Sequence, residues 1–341
     1  MTQPAIDISV IVPTCNRSGS LRIALDSILA QQLDAGGFEV IVVDNGSTDD
    51  TRAVTERLQP AFPALRYLHE PEPGLHVGRH AGLRASRSEL LVYVDDDIRA
   101  LPGWLQAVKQ VMADPEVAIA GGRVLPEWLT EPPAWVRRMW EEPRADGRML
   151  EQLSIIDLGA APREVPPAFI FGCNFAVRRS VLRAAGGFHP DGFPQQLIRF
   201  RGDGESWVSA YVASQGLKAF YHPDAGVYHR IPGSRLTEAY FRTRQYNQGV
   251  SDSYTRIREA GGISRDPRPF RTARRRLRRS LRRMLGRDPA PFADSSDEEI
   301  RRSLQESYRD GFAFHQQAVR QDPALLAWVL RESYLQDPGH E

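Results

Sequence analysis

Residues 89 to 97 read Glu-Leu-Leu-Val-Tyr-Val-Asp-Asp-Asp, an apolar run that ends in three adjacent carboxylates. The run from Glu89 to Val94 is typical of a β-strand. Asp95, Asp96 and Asp97 would repel one another strongly at the end of this strand unless a cation lay among them. Carboxylate oxygens are the ligands that Mg²⁺ and Mn²⁺ prefer, and these ions usually stay partly open to substrate phosphates. The stretch therefore predicts a site for a metal and a phosphate, and the alternative interpretation is a solvated acidic loop.

Two upstream apolar runs also end in polar residues. Ile8–Val12 is followed by Pro13–Arg17, and Glu39–Val43 runs directly into Asp44. Between these two strands a helix is predicted from apolar residues at helical spacing, which are Leu21, Ala24, Leu25 and Ile28. Alternating strands and helices indicate an α/β fold with a doubly wound, mostly parallel sheet and helices on both faces. Ligands bind such sheets outside the carboxyl ends of the strands, so the three polar strand ends predict one site.

These motifs resemble the inverting, nucleotide-sugar-dependent glycosyltransferases of family 2, which have the GT-A fold. The resemblance extends from residue 6 to residue 232 and includes the order and spacing of the motifs. The matching segments are Pro13–Arg17, Val42–Asp49, Tyr93–Asp97 with its DXD motif, Pro102–Leu105, Gly172–Arg179 and Gly186–Phe188.

The resemblance implies a nucleotide-sugar site on the same strand ends. Asp44 would bind the uracil or the ribose, and Thr14 and Arg17 would lie beside the base. Arg79, within the segment Gly78–Gly82, takes the place of a family arginine near the nucleotide; the alternative is an ordinary surface arginine. The residues assigned to this site are Pro13, Thr14, Arg17, Asp44, Asn45, Arg79, Asp95 and Asp96.

The resemblance also implies a divalent metal, Mn²⁺ or Mg²⁺. Asp97 is its expected direct ligand, and Asp95 would reach the ribose or a metal-bound water. His229 ends the family's last core strand, which corresponds here to Ala219–His229. Imidazole is a sound ligand for Mn²⁺-like ions, so His229 is expected to complete the metal site, with a purely structural role as the alternative.

The catalytic base is expected to be a carboxylate that takes the proton of the acceptor hydroxyl. In the family this residue lies about eleven positions before a glycine that ends the next helix. Counting back from Gly216 assigns the base to Glu205. The same count puts Gly204 in the place of the family's Glu. Asp203 is the other candidate, and it fits if the two glycines beside it shift the register. The residue that is not the base would have a structural role at the start of the helix.

Composition agrees with a single globular enzyme. The chain has 341 residues, 26% of them charged, and a net charge of +1, which gives no reason to expect a nucleic-acid partner. Two cysteines, Cys15 and Cys173, favour a reducing compartment over a disulfide scaffold or a zinc site. No apolar run approaches the length of a membrane span. We therefore expect a cytoplasmic protein, with any membrane contact at the surface of the inner face.

Two regions lie outside the clear motifs. Residues 126 to 167 are rich in Pro, Trp, Arg and Glu and are predicted to form a long irregular insert over the acceptor. Residues 1–235 are expected to form the catalytic domain, and residues 236–341 a helical C-terminal extension. In the extension, Ser296–Glu299 is typical of a capping box, and Asp322-Pro323 of another helix start.

The extension contains an arginine-rich segment, Arg271–Arg287, with nine arginines and no acidic residue. Leu277, Leu281, Met284 and Leu285 would share one helical face, which is the pattern of an amphipathic helix on an anionic membrane. A solvated basic helix, or a site for another anionic partner, is the alternative.

The sequence as a whole predicts a metal-dependent inverting glycosyltransferase. It would move a sugar from a nucleotide-sugar, with a UDP-sugar as the expected donor, to a hydroxyl of a sugar, lipid-linked or small-molecule acceptor. Such a reaction belongs to polysaccharide, glycolipid or glycoconjugate biosynthesis. Two other functions remain open: a sugar-nucleotide nucleotidyltransferase, and a catalytically silent GT-A binding module. The oligomeric state is not predicted.

Overall fold

The computed structural model describes residues 6–144, 146–263 and 295–335. Within them the β-strands are, in chain order, β1 (Ile6–Thr14), β2 (Gly37–Asp44), β3 (Leu65–His69), β4 (Leu90–Val94), β5 (Ile98–Ala100), β6 (Val117–Gly121), β7 (Val124–Trp128), β8 (Arg148–Leu150), β9 (Ile155–Asp157), β10 (Arg163–Glu164), β11 (Asn174–Arg178), β12 (Lys218–Tyr221) and β13 (Val227–Ile231).

The α-helices of the same residues connect these strands and then continue beyond them. They are α1 (Ser18–Leu29), α2 (Thr51–Leu58), α3 (Leu75–Ala85), α4 (Trp104–Val111), α5 (Ala134–Glu141), α6 (Arg179–Ala184), α7 (Glu205–Ser214) and α8 (Glu238–Glu259), followed by a long C-terminal helix (Ser295–Gln321) and a short terminal helix (Pro323–Val329). Short 3-10 helices include Gln195–Phe200 and Gly233–Arg235.

The main sheet has eight strands in the order β10-β12-β6-β11-β4-β1-β2-β3. β1 pairs in parallel with β2 and β4, β2 with β3, and β6 with β12. Only β10 and β11 run antiparallel to their neighbours. The chain moves outward from β1 to β3 and then returns across the sheet to β4. Because crossovers between parallel strands are right-handed, this reversal puts α3 on the opposite face from α1 and α2. The predicted doubly wound, mostly parallel α/β sheet is confirmed.

The point of reversal locates the site. Ligands of open α/β sheets bind outside the carboxyl ends of the strands where the strand order reverses, here between β1 and β4. β1 ends at Thr14, and β4 ends at Val94, directly before Asp95. Neighbouring strand ends therefore bring the first polar segment of the chain against the three carboxylates.

The strands at the centre of the sheet are buried on both faces. Ile8, Val10–Val12 and Val40–Val43 have no exposed surface. Such burial explains why these strands read as continuous apolar runs rather than as an alternation of apolar and polar residues. The apolar stripe of α1 is buried against them, as its helical spacing predicts.

A second sheet of five strands lies in the order β5-β13-β7-β9-β8. Residues 126–167 contribute β8, β9 and the end of β7 to it, and they also contain α5 and β10, so the expectation of a long irregular insert was wrong. Here β7 pairs in parallel with β13, from Val124 opposite Val227 to Trp128 opposite Ile231. Strands of three to five residues are too short to show a periodicity, and Pro126 lies inside one of them, which explains why the pattern was missed.

Two helices of the C-terminal extension lie where the sequence predicts helices. Asp297 and Glu298 lie in the first turn of the long C-terminal helix. Asp322 caps the short terminal helix, because its side chain accepts hydrogen bonds from the N–H groups of Ala324 and Leu325. The predicted helix start at Asp322-Pro323 is confirmed, and a helix runs through the predicted segment Ser296–Glu299.

The extension packs on the rest of the molecule. Arg138 of α5 pairs with the buried Asp297 at 2.6 Å, and the rings of Trp135 and Phe241 meet edge to face at 4.8 Å. The arginine-rich segment 271–287 lies outside the described residues. Among the helices that are described, none is long and apolar enough to cross a membrane.

Candidate active site

The carboxylates after β4 form the centre of the site, and two of them are buried. Asp96 accepts hydrogen bonds from Thr14 Oγ1 at 2.6 Å and from Arg17 Nη1 at 2.8 Å. Burial raises the pKa of Asp96 to about 6, although the charge of Arg17 opposes the rise. Asp95 is half-buried, and its pKa is raised by burial and by the neighbouring charge of Asp97. Three residues that the sequence assigned to one site, Thr14, Arg17 and Asp96, are thus in direct contact.

Asp97 lies among two arginines and a histidine. Its Oδ2 accepts from Arg17 Nη1 at 2.8 Å and from Arg235 Nη2 at 2.7 Å. Its Oδ1 lies 3.3 Å from His229 Nε2. Burial acts to raise the pKa of Asp97, but the charges of Arg235 and Arg17 oppose it, and the pKa lies well below its usual range. Asp97 is therefore a carboxylate at neutral pH.

The second sheet brings His229 to Asp97. β13 pairs antiparallel with β5, with His229 opposite Ile98, so the imidazole reaches the residue just before that strand. His229 is almost fully buried, and its Nδ1 lies 2.8 Å from the carbonyl oxygen of Leu153. Because a carbonyl can only accept, Nδ1 carries the proton in the neutral ring, and Nε2 is the acceptor that meets Arg235 Nη1 at 2.9 Å.

Asp97 and His229 fit a divalent cation. Asp97 Oδ1 is buried and accepts no hydrogen bond from the described part of the chain. It lies 3.3 Å from His229 Nε2, so a carboxylate oxygen and a nitrogen acceptor, neither of which can donate to the other, are close together, as two ligands of one ion would be. In residues 6–144, 146–263 and 295–335, no three His, Cys, Asp or Glu side chains are grouped to hold a metal. Further ligands would have to be water or substrate phosphate, which is usual for Mg²⁺.

The segments after β1 and β2 are joined by hydrogen bonds beside these carboxylates. Asn16 has a left-handed φ of 54°, and its side chain accepts from Thr48 N–H at 2.8 Å. Asp44 is buried and accepts from Tyr67 Oη at 2.7 Å and from Ser47 N–H at 2.8 Å. Asn45 accepts from Gly74 N–H at 3.1 Å. Asp44 and Asn45 thus lie on the expected rim, while also holding its loops in place.

Arg79 lies beneath Glu205. Its Nη1 donates to Glu205 Oε2 at 3.1 Å, its Nη2 donates to the carbonyl of Gly172 at 3.3 Å, and its guanidinium stacks on Phe188 at 5.0 Å. Arg79 is only 3% exposed, whereas the side chain of Glu205 is 27% exposed. Burial acts to lower the pKa of Arg79, but the charges of Glu205 and Asp95 raise it, so the arginine stays charged. Arg79 therefore contacts Glu205, the expected base. Its charge also acts on Asp95, one of the three carboxylates after β4.

Asp203 has a different environment from Glu205. Its side chain is 5% exposed; Oδ1 lies 2.7 Å from His189 Nδ1, and Oδ2 accepts from Thr255 Oγ1 at 2.7 Å. Thr255 belongs to α8, so Asp203 connects the segment before α7 to the C-terminal extension. Both of its oxygens are already used in a buried network.

A cavity of about 430 Å³ adjoins Glu205. One wall comes from residues 144 to 171 and includes Phe169 and Phe171. The opposite wall comes from the C-terminal extension and includes Arg244, Gln248 and Tyr308. The cavity lies where Glu205, the first residue of α7, is open to solvent. Glu205 can therefore meet a bound molecule there.

The sequence missed three residues of this site. Arg235 contacts both Asp97 and His229, yet no motif includes it and the recognised segment ended at residue 232. Gly172 was noted only as part of a motif, although an added Cβ would lie 2.7 Å from Arg79 Nη2 and 2.7 Å from Glu205 Cδ. Tyr67 carries no signal beyond its place at the end of β3.

The sequence profile of the family described as "Glycosyl transferase family 2" matches residues 9–186, more than half of the chain. The chain belongs to glycosyl transferase family 2. The family resemblance inferred from the strand-end motifs is thus confirmed, and the protein is a glycosyltransferase.

Three relatives differ in how much of the chain they match. The succinoglycan biosynthesis protein ExoM of Rhizobium meliloti is 24% identical over 77% of this chain and 79% of its own length. Glycosyltransferase AglE of Haloferax volcanii is 30% identical over 36% of this chain, and validoxylamine A glucosyltransferase of Streptomyces hygroscopicus subsp. jinggangensis is 28% identical over 54%. The chain spans less than half the length of these two relatives, 41% and 47%.

A solved structure shares the fold. The mannosyltransferase PcManGT from Pyrobaculum calidifontis, in complex with GDP-Man and Mn²⁺, aligns with a TM-score of 0.54 over 98% of this chain and 86% of that chain. At 19% sequence identity the likeness concerns the fold alone. The predicted GT-A fold with a helical extension is confirmed.

Proposed function

We propose that the protein transfers a sugar from a nucleotide-sugar to an acceptor hydroxyl, with inversion at the anomeric carbon and with Mn²⁺ or Mg²⁺. The observation that carries the proposal is Glu205, which is paired with Arg79 and open to the 430 Å³ cavity. The facing groups Asp97 and His229 support a metal beside it. Family membership supports the class of reaction.

Glu205 acts as the general base. The acceptor oxygen forms a bond to the anomeric carbon while the bond from that carbon to the phosphate oxygen breaks. The proton of the acceptor goes to Glu205, and the bonding electrons leave with the nucleoside diphosphate. Arg79 keeps Glu205 in position from its buried side, and the exposed side faces the acceptor. A divalent ion on Asp97 and His229 would offset the charge of the leaving diphosphate.

The donor is a nucleotide-sugar, and a UDP-sugar is the expectation from the family resemblance. PcManGT was solved with GDP-Man, so GDP-mannose belongs in the same test. Melting temperatures are measured with UDP-, GDP-, dTDP- and CMP-sugars in the presence of Mn²⁺. A ligand that binds the native state raises the melting temperature. A lack of stabilisation by every donor would contradict the proposal.

The metal role is tested by Asp97→Asn. This change keeps the shape and removes the charge, so Mn²⁺-dependent binding of the stabilising donor should weaken at least about tenfold while the fold remains. Asp224→Asn, on an exposed turn, is the matched control. If Asp97→Asn binds the donor as well as wild type at every Mn²⁺ concentration, the metal is not held there.

The acceptor is a sugar, a lipid-linked molecule or a small molecule. Acceptors of these kinds are used in the biosynthesis of polysaccharides, glycolipids and glycoconjugates. Peripheral membrane contact through Arg271–Arg287 stays a prediction from the sequence. Liposome co-sedimentation tests it, because binding should need acidic lipid and should fall as salt is raised.

A further inference from the structure

Arg235 bonds to both residues that are expected to hold the metal. It ends the 3-10 helix Gly233–Arg235, six residues after His229, and its side chain is 16% exposed. Its Nη2 donates to Asp97 Oδ2 at 2.7 Å, and its Nη1 lies 2.9 Å from His229 Nε2. One guanidinium thus bridges the carboxylate and the imidazole.

Nε2 of His229 cannot accept a hydrogen bond from Arg235 and bind a metal at the same time. Since Nδ1 of His229 donates its proton to the Leu153 carbonyl, Nε2 offers a single lone pair. This lone pair accepts from Arg235 Nη1. A divalent cation would need the same lone pair, so the cation and Arg235 compete for His229.

The charges around Asp97 favour the arrival of a cation together with an anion. Arg17 and Arg235 offset the carboxylates of Asp96 and Asp97. With Asp95, three carboxylates face these two arginines, so a divalent cation alone would change the single surplus negative charge of the cluster into a surplus positive charge. A diphosphate that arrives with the cation would restore the balance, and a guanidinium is well suited to bind phosphate with two parallel hydrogen bonds.

We propose that Arg235 couples metal binding to nucleotide binding. Arg235 leaves Asp97 and His229 when a divalent cation binds, and it then pairs with the diphosphate of the donor. Arg17 stays in place, because it also bonds to Asp96. The proposal rests on the proposed function and adds to it a positioning residue beyond the matched family segment, which ends at residue 186.

The test measures Mn²⁺ binding without turnover. Free Mn²⁺ is followed by electron paramagnetic resonance in titrations with Mn²⁺ alone and with Mn²⁺ plus UDP or GDP. Wild type should bind Mn²⁺ weakly alone and more tightly with the preferred nucleotide. Arg235→Gln frees the lone pair of His229 and removes the pairing with phosphate. It should therefore bind Mn²⁺ alone about tenfold more tightly and lose most of the enhancement by nucleotide.

Two further variants complete the experiment. Arg230→Gln removes a nearby arginine that pairs with Glu127 and should behave like wild type. Arg235→Lys keeps the charge but not the bidentate geometry, so its Mn²⁺ affinity and its enhancement by nucleotide should fall between those of wild type and Arg235→Gln. A purely structural loss at Arg235 would weaken Mn²⁺ binding, the opposite of the expected gain.

The outcomes separate this inference from the proposed function. If wild type binds Mn²⁺ with a nucleotide but Arg235→Gln shows no gain for Mn²⁺ alone, or keeps the full enhancement by nucleotide, the role of Arg235 is overturned and the proposed function stands. If wild type binds no Mn²⁺ with either nucleotide, the metal part of the proposed function and the role of Arg235 both fall.

Discussion

Glu205 and Asp203 are only two residues apart but have opposite surroundings. The left-handed Gly204 lies between them, with a φ of 56°, so the chain turns before α7 begins. Glu205 is partly open to the cavity, whereas Asp203 has both oxygens bonded in the interior. The two carboxylates should therefore respond differently to removal of their charge.

Glu205→Gln should abolish transfer and spare binding. Loss of a general base typically costs about 10²–10⁴-fold in rate. Because the proposed partner of Glu205 is the acceptor hydroxyl, the affinity for nucleotide-sugar and Mn²⁺ should change little. The measurement is kcat for transfer, or for donor hydrolysis, beside the donor affinity from calorimetry.

Asp203→Asn is the matched variant and should mainly lower stability. It removes charge from the buried bonds to His189 and Thr255, which should cost about 1–3 kcal/mol in the free energy of unfolding. The rate per folded molecule should stay within a few fold of wild type. The opposite ranking, with Asp203→Asn inactive and Glu205→Gln active, would move the base to Asp203.

Gly172→Ala should disturb the pair of Arg79 and Glu205. An added Cβ would lie 2.7 Å from both side chains, so both must move or the backbone must shift. We expect the transfer rate to fall by about tenfold or more, since displacement of a reacting group by an ångström costs this much or more. Gly19→Ala is the control, because nothing lies within 4 Å of its added Cβ. Full activity in Gly172→Ala would mean that the position of Glu205 is not critical.

At the scale of helices, the extension depends on a close crossing of two backbones. An added Cβ at Gly249 of α8 would collide with the carbonyl of Tyr308, and one at Gly311 of the long C-terminal helix would collide with the carbonyl of Tyr246. Each helix thus has a glycine against the backbone of the other. No larger residue fits at either crossing point without separating the helices.

Gly249→Ala and Gly311→Ala should each lower the free energy of unfolding by about 1–3 kcal/mol, although alanine is the better helix former. Urea denaturation followed by circular dichroism measures the loss. Gly19→Ala in α1 has free space around its added Cβ and should be neutral or stabilising. If the two crossing variants are as stable as wild type, the helices do not pack at this distance.

For the whole molecule, buried histidines should make the fold sensitive to acid. Burial lowers the pKa of His76 and His315 to about 4 and that of His80 to about 3. The unfolded value is about 6.5. Because the folded pKa is the lower one, the folded state binds fewer protons. The stabilising contribution is fully present above about pH 6.5 and is lost as the pH falls toward 4.

The free energy of unfolding should therefore fall by on the order of 1 kcal/mol per histidine between about pH 7.5 and about pH 5.5. His315→Leu isolates one contribution: its drop over this interval should be smaller than that of wild type. The pKa values of Asp95 and Asp96 are raised in the folded state, so these two residues favour folding as the pH falls. This effect is the same in wild type and in His315→Leu. An equal drop in the variant would mean that His315 titrates normally in the folded state.

Sequence reasoning predicted those parts that neighbouring residues encode. The buried strands showed as apolar runs, the helix of residues 18 to 29 as a periodic stripe, and Asp322 as a cap before Pro323. The end of α7 near Gly216 also follows from a local rule, since a left-handed glycine stops a helix. Polar residues that follow parallel strands meet at one edge of the sheet, so the sequence also indicated the edge at which the candidate site lies.

The contacts that distinguish the site residues could not be read in this way. Arg79 meets Glu205 across 126 positions of the chain, and Arg235 meets Asp97 across 138. The strand β13, which brings His229 to Asp97, is too short for its pairing to show as a pattern. Local sequence determined the sheet, the caps and the place of the site, because these depend on neighbouring residues. Only the tertiary structure decided which carboxylate is open to the cavity and which arginine meets the expected metal ligands, because those contacts join distant segments.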